Sequence, residues 1–311
     1  MFDPADPDGF LYLTDSGPML YDGPPFIAGP WAWRNSQKKQ GPIFFHMEAC
    51  FMEQREVGGV HYITGHWPLD SKKATLIFIH GAASAQSFWE GQIDALGDMA
   101  NVVAFDLPGH GKDQRPGKES ISDYADAAAA FVDALRPPAP TLCGLSMGGA
   151  IVMELMINDR RGLFSSGILI NTGARLKTDP IIIETIEKNY DGFVKLLSAF
   201  AISKNIDPKT IASHIQAMSE CSSAVAAGDF RACNDFDVRK RLGEIDAPML
   251  ILTARDDLLT PPAYGEFLAE NIPGARLRQI EGAGHLSPIE KPETVNEHIR
   301  DFFRDVGLGG L

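Results

Sequence analysis

From about residue 51 the chain alternates between short apolar runs and longer stretches with helical spacing. Thr75 to His80 is apolar at consecutive positions and rich in β-formers. A run without a polar face predicts a strand buried on both sides, as in a parallel sheet covered by helices. Asn101 to Phe105, Thr141 to Cys143, Gly167 to Ile170 and Met249 to Thr253 repeat the pattern. Phe51 to Val57 and Val60 to His66 predict two further strands around the turn Gly58-Gly59. Between the runs, Phe88 to Met99, Ile121 to Leu135 and Met147 to Ile157 predict helices. That rhythm predicts an α/β fold, a doubly wound and mostly parallel sheet flanked by helices, which places ligands at the carboxyl ends of its strands.

Residues 172–247 break the rhythm. Ile181 to Tyr190, Phe193 to Phe200, Pro208 to Ser219 and Ser222 to Ala227 predict short helices, with no convincing buried strand. The interval is too long for an ordinary loop. It predicts a helical cap inserted in a core made of residues 51–171 and 248–311. The first fifty residues differ again, with Pro4, Pro7, Pro18, Pro24, Pro25, Pro30 and Pro42 among many glycines. Proline fixes φ and removes a donor, so long helices and central strands are disfavoured there. The segment reads as an extension draped over the core, where it either covers an entrance or contributes to a homodimer contact.

Charge narrows the function classes. Lys plus Arg is 28 and Asp plus Glu is 41, a formal net charge of −13. Binding phosphates or an anionic membrane needs concentrated basic surface, so neither nucleic acid nor membrane is an expected partner. The start, MFDPADPDGF, lacks the basic and apolar regions of a secretory signal, and no run approaches the roughly 20 apolar residues of a membrane span. Cys50, Cys143, Cys221 and Cys233 show no metal-ligand spacing. The expectation is a cytoplasmic protein with free thiols and no metal.

The chemical signal is Gly144-Leu145-Ser146-Met147-Gly148-Gly149, which follows an apolar strand and opens a helix. Glycines flanking the serine let the chain turn sharply and expose the Ser146 hydroxyl at the apex. The helix start adds a partial positive charge, and the Met147 N–H would point at a developing oxyanion. A serine hydroxyl is a weak nucleophile and needs a base oriented by an acid, in the chain order serine, acid, histidine. His285, in a glycine loop after the expected strand Ala275 to Ile280, is the base candidate; His214 and His298 read as structural or solvated. Asp256 and Asp257, directly after the Met249 run, are the acid candidates. Adjacent residues point in different directions, so only one can serve.

Taken together these patches resemble the α/β-hydrolase superfamily, in its branch of small esterases, enol-lactonases and cofactor-free haloperoxidases. The resemblance spans residues 51 to 306. His80-Gly81-Ala82 resembles the family's His-Gly-x turn, which implies Ala82 as the second oxyanion donor. Asp106 to Gly111 matches its Asp-x-x-Gly-x-Gly turn. Ala254 to Pro261 resembles Gly-x-x-Asp-x-x-x-Pro with alanine replacing the first glycine, which implies Asp257 as the acid. Gly284-His285 with Glu290 to Glu293 resembles its histidine loop. The implied activity is a serine hydrolase cleaving a small ester-like substrate, a carboxylic ester or lactone, with water and without a cofactor. Phe88 and Trp89 are candidates for the acyl pocket. C–C hydrolysis, thioester cleavage and perhydrolysis use the same triad, and a ligand receptor or an interaction protein of this fold stays open.

Overall fold

A computed structural model describes residues 52–308. The proline-rich extension expected over residues 1–50, and Cys50 with it, lies outside the described residues. The sheet has eight strands: β1 (Glu53–Val57), β2 (Val60–Thr64), β3 (Thr75–Ile79), β4 (Asn101–Phe105), β5 (Pro140–Leu145), β6 (Ser166–Ile170), β7 (Met249–Ala254) and β8 (Arg276–Ile280). Their spatial order is β1-β2-β4-β3-β5-β6-β7-β8. β1 and β2 form an antiparallel hairpin laid antiparallel on β4, and the remaining neighbours are parallel.

Every residue of β3 to β7 is buried, as their unbroken apolar runs require. The two-residue period of a strand divides them between two cores. Ile77, Ile79, Val103, Phe105 and Leu142 join one apolar cluster; Leu76, Phe78, Val102, Ala104 and Cys143 join the other, on the opposite face. The first face is covered by α2 (Ile121–Leu135) and α3 (Met147–Ile157), the second by α1 (Glu90–Leu96) and, near the chain end, Pro292–Asp305. α3 is buried at all but one position, as a helix apolar all round must be. α2 begins where the Ser120 hydroxyl accepts from the Asp123 N–H, and it ends at Arg136 in a left-handed conformation before a proline.

Between β6 and β7 the chain forms α4 (Pro180–Lys188), α5 (Tyr190–Phe200), α6 (Ala212–Glu220) and α7 (Ser223–Asp235). Ile186, Phe193, Val194, Met218, Ala226 and Ala227 give these helices an apolar cluster of their own, which also takes in Ala83. Several expected boundaries differ, two of them most clearly. The Phe88 segment opens with a 3-10 turn, Gln86–Trp89, and its helix stops at Leu96. The helix expected to end at Ala227 runs on to Asp235. Gly228 sits inside α7, where a Cβ would come within 2.8 Å of the Lys118 carbonyl oxygen. Tertiary packing there outweighs helix propensity. After β7 come α8 (Pro262–Asn271), the single turn α9 (Ser287–Glu290) and α10 (Pro292–Asp305). No described helix is long and apolar enough to cross a membrane.

Candidate active site

Ser146 stands between β5 and α3 with φ 55° and ψ −118°. Positive φ is strained for a residue with a Cβ and persists only where the surroundings impose it. Here the Ser146 N–H donates to the Ile170 carbonyl at 3.0 Å, and the Thr172 hydroxyl donates to the Ser146 carbonyl at 2.7 Å. The turn is closed tightly enough that a Cβ on Gly144 would sit 2.2 Å from the Gly148 backbone, and one on Gly148 2.3 Å from the Ile79 carbonyl oxygen. The Met147 N–H is the first amide of α3, among those an α-helix leaves without an intrahelical acceptor. Ala82 lies on the same cavity wall as Ser146.

Asp257 and His285 meet across the ends of β7 and β8. The His285 Nδ1–H donates to Asp257 Oδ2 at 2.9 Å. The same carboxylate accepts from the Leu259 and Thr260 N–H groups at Oδ1, at 2.8 and 2.9 Å, and from the Thr260 hydroxyl at Oδ2, at 2.8 Å. Buried and fully engaged, it fixes the imidazole with Nδ1 protonated. Asp256 is turned away and accepts from the Ser203 hydroxyl at 2.6 Å. The histidine loop is held on both sides of His285. Glu290 accepts from the N–H groups of Gly284, Leu286 and Ser203 at 2.9, 3.0 and 2.9 Å. Asn171 Nδ2 donates to the His285 carbonyl at 2.8 Å. Burial pushes the Glu290 carboxyl above its ordinary range, against the pull of those three donors.

Ser146 and His285 line one cavity, which offers about 130 Å³ to the centres of water molecules. No hydrogen bond joins the Ser146 hydroxyl to His285 or to any other described residue. From the sheet side come Gly81, Ala82, Leu145 and Thr260; from the helical insertion come Leu176, Lys177, Ile182, Leu197, His214, Met218 and Phe230. Phe88 and Trp89, expected to line an acyl pocket, are not on its wall. Trp89 is fully buried and stacks on Phe78 at 4.4 Å between ring centroids, while Phe88 sits behind His214 at 5.2 Å. Their aromatic character serves the core and the footing of α6. His214, expected to be structural or solvated, is buried on the cavity wall instead. Lys177 also reaches the cavity.

A second polar cluster lies beneath Ala82. Asp229 of α7 is fully buried. Its carboxylate accepts from the Ala83 N–H at 2.8 Å, from His110 Nε2 at 2.8 Å and from the Tyr124 hydroxyl at 2.5 Å. His110 also places Nδ1 3.1 Å from the Pro108 carbonyl, so both ring nitrogens face acceptors, as an imidazolium needs. Burial drives the His110 pKa down, but the charge and hydrogen bond of Asp229 outweigh it and leave the group above its ordinary range. Neighbouring His80 goes the other way. Burial, then His110, pushes it well below the ordinary value, consistent with its Nε2 accepting from the Leu107 N–H at 3.2 Å. Asp106 organises its turn, accepting from the Gln86 and Lys112 N–H groups.

His214 carries a pH consequence. Burial, then the charge of His285, pushes its pKa down to about 4. The unfolded chain therefore binds a proton that the folded one refuses between its ordinary value of about 6.5 and about 4. Stability is expected to fall as pH drops through that window, by up to ~3 kcal/mol from this group. Melting curves of the wild type and His214→Phe from pH 7 to pH 4 check it: the variant should lose less on acidification. Equal losses would refute the assignment.

A family model described as "Alpha/beta hydrolase family" matches residues 76–298. The chain is 30% identical over 257 residues to the protein named "Putative carbamate hydrolase RutD" of Agrobacterium fabrum, covering 76% of this chain and 95% of that one. It is 27% identical over 235 residues to 3-oxoadipate enol-lactonase 2 of Acinetobacter baylyi, covering 73% and 87%. The crystal structure of the enol-lactonase from Burkholderia xenovorans superposes with a TM-score of 0.72 at 22% identity, over 81% of this chain and 100% of that one; at that identity the likeness concerns the fold. With the family model matched from β3 into α10 and the parallel sheet in place, this chain belongs to the α/β-hydrolase family and is a hydrolase of that fold.

Proposed function

We propose that the protein is a serine hydrolase of small ester-like substrates, carboxylic esters or lactones, working through Ser146, His285 and Asp257. The observation that carries the reading is the 2.9 Å bond from His285 Nδ1 to the buried Asp257 carboxylate, which leaves Nε2 of the imidazole for the cavity it shares with Ser146. Ser146 Oγ attacks the substrate carbonyl carbon and gives its proton to His285 Nε2. The N–H groups of Ala82 and Met147 stabilise the oxyanion, and Asp257 stabilises the imidazolium. Collapse expels the alcohol oxygen, which takes the proton from His285 and leaves an acyl-serine. Water, deprotonated by His285, then attacks the acyl carbon, and the acid and free serine are released.

Serine reaches His285 by rotation of its side chain; such bonds are often long or unmade before substrate binds. The insertion over residues 172–247 acts as a cap that sets acyl preference, since Ile182, Leu197, Met218 and Phe230 supply much of the apolar wall. The names of the relatives, "Putative carbamate hydrolase RutD" and 3-oxoadipate enol-lactonase 2, fit hydrolysis at an activated carbonyl.

The test is labelling with a fluorophosphonate alongside a panel of p-nitrophenyl esters, lactones, carbamates and acyl thioesters. The expected result is one covalent adduct, mapped to Ser146, formed in step with loss of ester or lactone turnover. Turnover that survives complete labelling, or a label on another residue, would overturn the reading.

A further inference from the structure

Lys177, Thr178, Ser198 and His214 of the helical insertion line the cavity, and the chemistry above uses none of them. His214 in α6 is 8% exposed and lies on the wall shared with Ser146 and His285. Its Nδ1 is 3.4 Å from the Ser84 hydroxyl oxygen. Ser84 is buried, and its side chain has no other hydrogen-bonding partner among the described residues. With the Ser84 proton directed at Nδ1, the tautomer that gives this hydroxyl an acceptor, the ring proton sits on Nε2. Among the described residues Nε2 has no partner. Leu197, Met218 and Leu286 line the same cavity, where a ring nitrogen that no partner reaches costs more than an apolar side chain of the same shape. The group is also kept uncharged, because burial and the charge of His285 push its pKa down to about 4. It therefore donates to a neutral acceptor and does not attract a carboxylate.

We propose that His214 is a specificity-determining residue whose Nε2–H holds a second, uncharged acceptor oxygen of the substrate, apart from the scissile carbonyl. His214 shares the cavity wall with Ala82 and Ser146, and Ser84, which it faces, follows Ala82 by two residues. The oxygen it holds belongs to the acyl part that stays on the serine. The substrate class is thus an oxo-substituted acyl ester or lactone whose carbon chain lies against the apolar wall. This rests on the Ser146 reading and narrows it.

The experiment compares kcat/KM for methyl hexanoate with methyl 3-, 4- and 5-oxohexanoate, followed by acid release, in the wild type, His214→Phe and His214→Gln. Each protein is first titrated with a fluorophosphonate to count intact sites. The wild type is expected to favour at least one oxo ester over hexanoate by about tenfold or more. His214→Phe should bring that ratio to about one, and His214→Gln, whose amide can still donate, should recover part of it. A wild type that labels at Ser146 but favours no oxo ester overturns the His214 assignment alone. So does a preference that survives in His214→Phe, or a loss in His214→Phe that falls on all four esters alike. A wild type that neither labels at Ser146 nor turns over any ester overturns the serine reading and this one with it.

Discussion

Ser146→Ala is expected to lower kcat on the best ester by about 10⁴- to 10⁶-fold while leaving the protein folded. The loss is large because no other side chain on the cavity wall stands between a helix start and a histidine held by a buried carboxylate. Folding should be nearly unaffected, because the Ser146 hydroxyl makes no hydrogen bond among the described residues and alanine meets the same φ of 55°. His285→Ala should cost as much, and the double variant little more than either alone, since groups that act as a unit do not add. Burst and steady-state kinetics on the three variants, with circular dichroism beside them, decide the matter. A Ser146→Ala protein within about tenfold of the wild type would refute the nucleophile assignment, and fully additive losses would refute the shared step.

The second large effect falls on stability. Asp229→Ala leaves a buried imidazolium, a phenol and the Ala83 N–H without their common acceptor. Removing one partner of a buried ion pair typically costs about 3–5 kcal/mol, a large share of the stability of a single domain. Asp229→Asn should cost less, because the amide oxygen still accepts from Ala83. Urea midpoints at unchanged m would measure both. The sign of the pH dependence follows from His110. Its pKa is raised in the fold, so the contribution of the pair is complete below about pH 6.5 and fades as pH rises through the raised value. The gap between wild type and variant should narrow in alkali. Ala83 has φ 51° and follows Ala82 directly, so Asp229 also holds a strained residue beside a candidate oxyanion donor. A midpoint within about 0.5 kcal/mol of the wild type would show that the cluster contributes little.

The core strands were legible because burial on both faces removes polar positions. β4, α2 and α3 fall where their apolar spacing puts them. The site was legible wherever one backbone feature forces residue type. The elbow needs small residues around Ser146, and Asp257 and His285 follow strands whose ends are marked. The choice between Asp256 and Asp257 needed the family pattern, because adjacent side chains are equivalent in sequence and differ only in direction. The fold turns one toward Ser203 and the other toward His285. Asp229 and Thr260 left no signal. Asp229 sits in a helix of weak apolar periodicity, and its partners at 83, 110 and 124 come from three separate segments. The misplacement of Phe88 and Trp89 has the opposite cause: large aromatics after the His80-Gly81-Ala82 turn suit a pocket and a core equally, and only packing decides.

The seating of the helical insertion bears on how such proteins diversify. Its side chains shape the cavity, whereas the candidate nucleophile, acid and base all lie before residue 172 or after residue 248. A graft of this segment from a relative would therefore alter substrate range with the reacting groups untouched. Attachments to the core limit such chimeras, among them the carboxylate at 229 beneath Ala83 and the backbone at 201–203 stitched to Glu290 and Leu286. A donor segment lacking either would arrive with a new pocket and a loosened candidate site, so recombination is freer along the apolar lining than at such fastenings.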